Sequence, residues 1–421
     1  MAAQKDFTVV IVGGGMCGLA CATALLRAGV EAHVFESAPK FDEVGAGVGL
    51  GPNAVKALQG LGVLDDVLSR ADPPKLSMRP YTFITGKGNH EHIFDYALSA
   101  NEIGLSIYRP VFLDALVPKI DAKYTHFDKR AIQVSRTPSG RHVVTFHDNT
   151  SVEADLVIGA DGIKSITREF VAGPHPHNHL AYVNTDTYRG MVSISALKKD
   201  GVKTDLTKPL IWAGMKKHVV TYPIRGNELL NIGAAVSSSF TWSPPRKDTW
   251  VERSVPAKEM FDAYEDWGHD IKTILSHIKD PSRWCMHAVD PPLEHYVKDK
   301  VVLVGDAAHA MVPHLGAGVG QGFEDSYVLY RLLTHPETNS TNLSGVLRIY
   351  DTIRPPRASM VARESARMGR LYHGFGPGEG GNTIKQTQEQ VAGIWEPVWY
   401  HDLEKEVSQH LNRFFAHGGK L

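Results

Sequence analysis

The chain has 421 residues, with 45 lysines and arginines against 46 aspartates and glutamates, so its formal net charge is −1. This balance predicts no nucleic-acid partner, because phosphate binding relies on surplus positive charge. Hydrophobic residues make up 43% and charged residues 22%, a composition that is typical of globular proteins and excludes a largely disordered chain. The length predicts two or three structural units.

Cysteine content and hydropathy indicate the compartment. Cys17, Cys21 and Cys285 are too few for a disulfide framework and form no Cys-x-x-Cys pair, which favours a reducing environment. The sequence has neither a signal-peptide core nor an apolar run of the ~20 residues that span a membrane. We therefore expect a soluble cytoplasmic protein without a membrane partner, and we expect the final Gly-Lys-Leu to be an ordinary chain end.

The N-terminal segment predicts a βαβ unit. A β-branched run at residues 8–12 predicts a strand, and three glycines follow it. Residues 19–28 then predict a helix, and residues 32–36 predict a second strand. The two strands of such a unit are parallel, and the crossover between them is right-handed.

Two later segments predict further strands of the same sheet. Residues 142–159 predict a hairpin that ends in an apolar strand, and residues 301–304 predict another buried strand. Glycine and then aspartate follow closely on each apolar run. Ligands of open α/β sheets bind at the carboxyl ends of the strands, so the glycine-rich strand ends predict a ligand site at one sheet edge.

The remaining segments differ in character. Alternating patterns at 188–191, 210–212, 218–222 and 229–236 predict antiparallel strands. After residue 318 the pattern predicts helices, with Pro355-Pro356 breaking or kinking the run from 347 to 371. The predicted fold class is α/β, with a Rossmann-type domain (1–75, 100–174 and 296–350), an inserted, mostly antiparallel β-sheet domain (76–99 and 175–295) and a helical C-terminal segment (351–421).

A glycine motif lies at the turn of the βαβ unit. Gly13-x-Gly15-x-x-Gly18 has a predicted strand before it, a helix after it, and Glu36 at the end of the next strand. Glycine permits the tight turn, the approach of a pyrophosphate and close helix packing, and a helix N-terminus attracts phosphate. Glu36 would accept hydrogen bonds from a ribose. The pattern predicts a dinucleotide site, and the alternative is a glycine-rich turn of another α/β protein.

Two further motifs carry a family resemblance. They are Asp155-x-x-x-Gly159-Ala160-Asp161-Gly162-x-x-Ser165-x-x-Arg168, and Gly305-Asp306-Ala307-Ala308-His309-Ala310 with Pro313 and Gly316-Ala317-Gly318-Val319-Gly320. With these motifs in this order, the chain resembles the single-component FAD-dependent aromatic hydroxylases of the para-hydroxybenzoate hydroxylase fold. Within this family it is most similar to the salicylate hydroxylases. The motifs that carry this similarity are Gly45-Ala46-Gly47-Val48, Gly51-Pro52-Asn53-Ala54, His218-x-x-x-Tyr222-Pro223 and Trp395-x-x-x-Trp399-x-His401-Asp402.

The resemblance implies a set of residues that hold FAD. Gly13, Gly15, Gly18 and Glu36 would hold the ADP half. Arg109 would lie beside the phosphates and the ribityl chain. For the other half, the implied residues are Asp306 at the ribityl hydroxyls, and Pro313, Gly316 and Gly318 beside the isoalloxazine.

The third motif also has a physical role of its own. Its glycine loop leads into a helix that begins near Gly320, whose positive N-terminal end would face the flavin edge where reduction leaves negative charge.

The sequence has no second strand–GxGxxG–helix unit, so NADH or NADPH is expected as a transient co-substrate, as in the family. Asp161 is associated with FAD and NAD(P)H binding in the family. The alternative for Asp161 and Arg168 is a structural turn with an ion pair.

Three residues of the inserted sheet are candidates for catalysis. Arg189 and Tyr222 lie on strands that we expect to be adjacent, and an arginine lowers the pKa of a substrate phenol by favouring its anion. A phenolate is the better nucleophile towards the flavin C4a-hydroperoxide that the family forms with O2. His218 projects to the same strand face as Tyr222, where it would contact a substrate carboxylate. The alternatives are an arginine paired with a surface carboxylate, a core tyrosine and a structural histidine. No metal-ligand spacing occurs.

These observations lead to one expected activity. We expect an FAD-dependent monooxygenase, monomeric or homodimeric, that uses NAD(P)H and O2 on a small phenolic aromatic, with salicylate-type decarboxylative hydroxylation to a catechol as its reaction. Some relatives have a polar residue where this chain has Gly49-Leu50-Gly51, which weakens the assignment to salicylate. The alternatives are non-decarboxylating or dearomatising hydroxylation of a larger, polyketide-type phenol, and FAD-dependent reduction without oxygen insertion.

Overall fold

A computed structural model describes residues 4–41, 47–71, 76, 81–96, 104–239, 242–244, 250–252, 254–376 and 381–419. Gly45 and Ala46 of one quoted motif, and the terminal Lys420 and Leu421, lie outside these described residues.

The strands are β1 (Val9–Val12), β2 (Ala32–Phe35), β3 (Gly47–Leu50), β4 (Thr82–Thr85), β5 (His92–Asp95), β6 (Leu105–Tyr108), β7 (Thr125–His126), β8 (Ala131–Arg136), β9 (His142–Phe146), β10 (Ser151–Ala154), β11 (Leu156–Gly159), β12 (Leu180–Ser193), β13 (Leu210–Gly214), β14 (Lys217–Ile224), β15 (Leu229–Ser237), β16 (Val251–Glu252), β17 (Ser282–Val289), β18 (Val297–Lys298) and β19 (Val301–Leu303).

The α-helices are α1 (Met16–Arg27), α2 (Pro52–Gly60), α3 (Leu64–Leu68), α4 (Arg109–Leu116), α5 (Thr167–Ala172), α6 (Ile194–Lys199), α7 (Ala257–Ala263), α8 (His269–Ser276), α9 (Asp306–His309), α10 (Gly318–Thr334), α11 (Leu343–His373), α12 (Ile384–Val391), α13 (Glu396–Trp399) and α14 (Leu403–Ala416). Short 3-10 helices lie at Val117–Lys119, Ala122–Tyr124, Arg225–Asn227 and Pro313–Leu315.

The central sheet has six strands in the order β18-β19-β11-β1-β2-β7. β1 pairs in parallel with both β11 and β2, and α1 forms the crossover, which confirms the predicted βαβ unit. All four residues of β1 and of β11 are buried, as is usual for parallel strands covered on both faces. This arrangement brings the glycine-rich ends of β1, β11 and β19 to one edge of the sheet.

The second large sheet has eight strands in the order β16-β17-β12-β15-β14-β13-β4-β5. Only the pairing of β13 with β4 is parallel among these neighbours. One face of this sheet packs against α7 and α8 around the fully buried Trp212 and Tyr264. The mixed α/β architecture with an antiparallel sheet and a helical C-terminus confirms the predicted fold class.

Two consecutive prolines lie inside the long C-terminal helix without breaking it. α11 continues through Pro355 and Pro356 as one element, so of the predicted break or kink the break is wrong and the kink stays a prediction. A proline in a helix interior costs about 3 kcal/mol. The adjacent Arg354 forms buried ion pairs with Glu324 and Asp325 of α10, both at 2.7 Å, and these hold the helix in place through the prolines.

Candidate functional site

The first motif forms a turn that requires glycine. Gly13 has φ +105°, and a Cβ there would lie 2.3 Å from the Ala160 carbonyl oxygen. A Cβ on Gly18 would lie 2.1 Å from the Gly13 oxygen. Gly15 is the N-cap of α1, and no side chain among the described residues caps this helix. The N–H groups of its first turn therefore suit an anion such as a pyrophosphate.

The Glu36 carboxylate lies beside this glycine turn at the end of β2. One oxygen, Oε2, accepts a hydrogen bond from Gly14 N at 2.8 Å, and the other, Oε1, accepts one from Ala38 N at 2.8 Å. These contacts fix the orientation of the carboxylate. Ser37 Oγ also donates to Oε1 at 3.0 Å, so three of the roughly four acceptor positions of the carboxylate are occupied and about one remains for a ribose hydroxyl. Gly13, Gly15, Gly18 and Glu36 therefore fit the ADP half of FAD.

Arg168 connects the second motif with the third. It is fully buried, and its guanidinium donates to main-chain oxygens of Asp306 at 2.7 Å, Ala307 at 2.8 Å, Ile163 at 2.9 Å and Asn178 at 3.2 Å. Burial lowers its pKa to about 10, so it stays protonated at neutral pH. Arg168 therefore orients the backbone at Asp306.

Asp161 has a capping role in the same region. Its Oδ2 accepts hydrogen bonds from Ile166 N at 2.9 Å and Thr167 N at 3.1 Å, and its Oδ1 accepts one from Thr167 Oγ1 at 2.7 Å. These contacts match the structural turn that was the alternative for this motif. The ion pair with Arg168 that went with that alternative is wrong, because the Arg168 guanidinium donates to carbonyl oxygens instead.

Asp306 and Arg109 follow strand ends. Asp306 is exposed and begins α9, directly after Gly305 with φ +61°. Arg109 begins α4 after β6, and its positive charge contributes to lowering the pKa of Arg189. The side chains predicted for cofactor and for substrate therefore lie within electrostatic range of each other.

A cavity of about 880 Å³ lies between the two sheets and the C-terminal helices. Its walls include Gly47–Gly51 around β3, and Gly316, Ala317 and Gly320 of the glycine loop before α10, which the sequence predicts to face the flavin and which we call the flavin-facing loop. α10 begins at Gly318, close to the predicted start, and no described side chain caps it. Of the other predicted residues of this loop, Pro313 is exposed at the start of the 3-10 helix and is not part of the cavity wall.

Tyr222 lines this cavity from β14. Its hydroxyl donates a hydrogen bond to the Gly47 carbonyl oxygen at 2.8 Å, and a Cβ on Gly47 would lie 2.8 Å from the Tyr222 ring. Burial raises the pKa of Tyr222, and the positive charge of Arg189 opposes that rise. The phenol therefore stays protonated at neutral pH.

Arg189 lies on β12, two strands away from Tyr222. The predicted adjacency of their strands is wrong, because β15 lies between β12 and β14. Gly233 of β15 stands directly opposite Arg189 and leaves that side of the sheet without a side chain. The guanidinium lies over the Trp284 ring, 4.7 Å from its centroid, and none of the described carboxylates forms an ion pair with it. Burial lowers the pKa of Arg189, and Tyr222 partly offsets this effect.

His218 shares a strand face with Tyr222 but does not line the cavity. It belongs to a buried histidine cluster of His218, His314 and His373, in which His218 Nδ1 lies 2.6 Å from His373 Nε2. Burial, together with the other two histidines, lowers the pKa of His218 well below its usual value. The structure therefore places Tyr222 at the cavity and His218 in a neutral cluster behind it, where the structural alternative fits.

Three further residues belong to the cavity wall although the sequence analysis assigned them no role in the site. Tyr81, Trp395 and Trp399 line the cavity. Trp395 Nε1 donates to Leu315 O at 3.0 Å, and Tyr372 Oη donates to His314 O at 2.8 Å, so the C-terminal helices hold the flavin-facing loop. The sequence did carry a signal for the two tryptophans, because Trp395-x-x-x-Trp399 belongs to one of the motifs that resemble the salicylate hydroxylases, whereas no pattern marks Tyr81.

The described residues contain neither a metal site nor a membrane-spanning helix. No group of three or more histidine, cysteine, aspartate or glutamate side chains there has a geometry that holds a metal ion. No helix in the same part of the chain is both long enough and apolar enough to cross a membrane.

Known proteins share both the sequence and the fold of this chain. Residues 6–365 match the family described as FAD binding domain. A salicylate hydroxylase of Pseudomonas putida is 37% identical over 97% of this chain and 96% of its own length. A 6-methylsalicylate 1-monooxygenase of Aspergillus terreus is 31% identical over 98% of this chain and 94% of its own length.

A solved salicylate hydroxylase substrate complex superimposes with a TM-score of 0.83 at 30% identity, covering 97% of this chain and 98% of that one. The cradle at Gly13–Gly18, the carboxylate of Glu36 and the glycine loop before α10 fit FAD on their own geometry. Together with these similarities, they show that the chain belongs to the FAD binding domain family and is an FAD-dependent aromatic monooxygenase of the salicylate hydroxylase type.

Proposed function

We propose that this enzyme converts salicylate, or a closely related ortho-hydroxy aromatic acid, to a catechol with loss of carbon dioxide. The observation that carries the proposal is the cavity, in which Tyr222 and the flavin-facing residues Gly316 and Gly320 line the same space. The similarity to salicylate hydroxylases over nearly the whole chain supports this choice of substrate.

The overall reaction balances with NAD(P)H and O2. One oxygen atom joins the ring carbon that carries the carboxylate, the carboxylate leaves as carbon dioxide, and the second oxygen atom becomes water. NAD(P)H supplies the two electrons and binds only transiently. FAD, when bound, supplies the redox chemistry with O2, and the protein supplies orientation and electrostatics.

The substrate-side roles fall to Arg189 and Tyr222. Arg189 is not part of the cavity wall, but its guanidinium interacts electrostatically with Tyr222 and has no described carboxylate as a partner. It therefore stabilises negative charge on a substrate phenol beside Tyr222 and lowers the pKa of that phenol. Because the Tyr222 hydroxyl donates its proton to Gly47 O, its lone pairs face a ligand as acceptors. His218 has an indirect role: through its contact with His373 it holds β14, the strand that carries Tyr222, in position.

Cofactor binding falls to Gly13, Gly15, Gly18, Glu36 and Arg109, and to Asp306, Gly316 and Gly318. Pro313 shapes the loop, and Asp161 holds the turn that carries Arg168.

We place the FAD domain at 1–75, 100–174 and 296–350, and the substrate domain at 76–99 and 175–295. This division is supported by the pairing of β4 with β13. The C-terminal helical segment is 351–421.

The protein works as a cytoplasmic monomer or homodimer, with O2 and the aromatic substrate as its small-molecule partners. None of Cys17, Cys21 and Cys285 forms a disulfide, which suits a reducing compartment. Light scattering of the purified protein measures the oligomeric state.

The direct test is aerobic turnover. Purified yellow protein is incubated with NADH or NADPH and salicylate, cofactor oxidation is followed, and the product is identified by mass spectrometry. Catechol formed in step with cofactor oxidation supports the proposal. Conversion of salicylate to a dihydroxybenzoate, with the carboxylate retained, contradicts it in favour of simple hydroxylation. Oxidation that yields only hydrogen peroxide contradicts salicylate as the substrate.

A further inference from the structure

The hydroxyl group of Tyr81 lies between two glycine walls of the cavity. Tyr81 directly precedes β4 and lines the cavity. Its oxygen is 3.6 Å from the position of a Cβ on Gly49 and 3.9 Å from that of a Cβ on Gly316. Because both positions are glycine, neither places a side chain between the hydroxyl and the cavity.

The Tyr81 ring is held firmly although its hydroxyl is not. The ring is nearly parallel to the Trp395 indole, with an interplanar angle of 3° and a centroid separation of 5.7 Å. The Tyr81 main-chain oxygen accepts a hydrogen bond from Tyr96 N at 2.9 Å. No side chain or main-chain group among the described residues pairs with the Tyr81 hydroxyl. A polar group in such a place is stabilised when a ligand or water pairs with it.

The two tyrosines of the cavity differ in what they offer a ligand. Tyr222 already donates its proton to Gly47 O at 2.8 Å, so it presents lone pairs. Burial raises the pKa of Tyr81, so its hydroxyl keeps its proton and is a donor. Tyr81 also contributes to the raised pKa of Tyr222, which places both phenols in the same low-dielectric region.

We propose that Tyr81 is a specificity-determining residue that donates a hydrogen bond to the carboxylate of an ortho-hydroxy aromatic acid, while Tyr222 accepts one from the adjacent phenol as long as that phenol keeps its proton. A neighbouring carboxylate and hydroxyl on one ring match a donor and an acceptor on two facing walls. This inference rests on the proposed function and adds to it the group that recognises the carboxylate.

Tyr81→Phe tests the inference, because it removes the hydroxyl and keeps the ring against Trp395. Binding is followed by the flavin absorbance of the FAD-loaded protein, without NAD(P)H. Salicylate is expected to bind about 10- to 100-fold more weakly, the loss expected for a hydrogen bond to a charged group. Phenol, which lacks the carboxylate, is expected to change in affinity by less than about two-fold, since it does not use this contact.

The matched control is Tyr96→Phe, since Tyr96 packs edge-on against Trp395 and does not line the cavity. It should leave the ratio of salicylate to phenol affinity unchanged. Tyr81→Phe protein that binds salicylate as tightly as the wild type overturns the inference, as does an equal loss for salicylate and phenol. Wild-type holoprotein that binds phenol but not salicylate contradicts the proposed function itself, and the inference with it.

Discussion

Arg168 donates a hydrogen bond to the main-chain oxygen of Asp306 at 2.7 Å, and so joins two motifs that are far apart in the chain. Three more carbonyl oxygens share the same guanidinium. The backbone that carries Asp306, the residue that we propose contacts the ribityl chain, therefore depends on one buried arginine. A planar guanidinium donates in several fixed directions at once, which an ammonium group cannot do.

Arg168→Lys should therefore weaken FAD binding although it keeps the charge. We expect at least a ten-fold rise in the dissociation constant for FAD, because a lysine cannot reach all four carbonyls. Fluorescence titration of the apoprotein with FAD measures it. Arg130→Lys, at an exposed position, is the control. Equal FAD affinity in Arg168→Lys and wild type would show that the Asp306 backbone does not need this arginine.

Gly15→Val should abolish FAD retention. Gly15 is the N-cap of α1, and a branched side chain there would fill the space through which a pyrophosphate approaches the helix N-terminus. The purified variant is expected to be colourless, with wild-type circular dichroism as evidence that the fold persists. A yellow variant with one FAD per chain would refute the assignment of the first motif.

Arg189→Ala should leave FAD bound and depress substrate-stimulated hydroxylation. Loss of the positive charge raises the pKa of the bound phenol, so the pH profile of turnover should shift to higher pH and kcat should fall about ten-fold or more. Arg189→Lys, which retains a charge, should recover part of the activity. Unchanged kinetics and an unchanged pH profile in Arg189→Ala would remove Arg189 from the site.

The histidine cluster predicts a loss of stability in mild acid. Burial lowers the pKa of His314 from 6.5 to about 3 and that of His373 from 6.5 to about 4. Below pH 6.5 these histidines bind protons in the unfolded chain but not in the folded chain. Their contribution to the free energy of unfolding is therefore complete above pH 6.5 and decreases as the pH drops below it. Below pH 6.5, each of these histidines is expected to lower the free energy of unfolding by about 1.4 kcal/mol for each pH unit.

Urea unfolding between pH 7.5 and 5.5 measures this dependence. His373→Asn should make the decline shallower by about the amount expected for one histidine, whereas His177→Asn, at an exposed position, should not change it. Parallel declines in His373→Asn and wild type would exclude the cluster as the source of acid sensitivity.

Arg354→Leu should destabilise the fold strongly. Arg354 is fully buried and pairs with both Glu324 and Asp325, so its removal leaves these buried carboxylates with only Arg357 and His309, respectively, as ion-pair partners. The expected loss is about 3–5 kcal/mol of unfolding free energy. Arg136→Leu, which breaks the exposed pair with Asp299, should cost less than about 1 kcal/mol. Similar losses in the two variants would contradict this account of the ion network.

The cofactor half of the site follows from short-range patterns. Gly13, Gly15 and Gly18 and the strand before them are local in sequence, and the physical demands on a phosphate-binding turn are local too. The same holds for the glycine loop before α10, whose helix begins within two residues of the expected start at Gly320.

The substrate half depends on contacts between distant segments. Alternation along β12 and β14 indicates the face on which Arg189 and Tyr222 lie, but the insertion of β15 between them is a property of sheet order. Tyr81 comes to face Gly316 only through tertiary packing, which no periodicity reports. Prolines locally disfavour a helix interior, but α11 continues through them because the long-range ion pair of Arg354 with Asp325 holds the helix in place.

The central claim is tested most directly by isotope labelling in a single turnover experiment. Salicylate labelled with ¹³C at the carboxylate is mixed with the yellow protein, NAD(P)H and ¹⁸O₂, and carbon dioxide and catechol are analysed by mass spectrometry. We predict ¹³C-labelled carbon dioxide and catechol with one ¹⁸O atom, each equal in amount to the NAD(P)H oxidised. Recovery of the label in intact salicylate, with hydrogen peroxide accounting for the oxidised NAD(P)H, would contradict it.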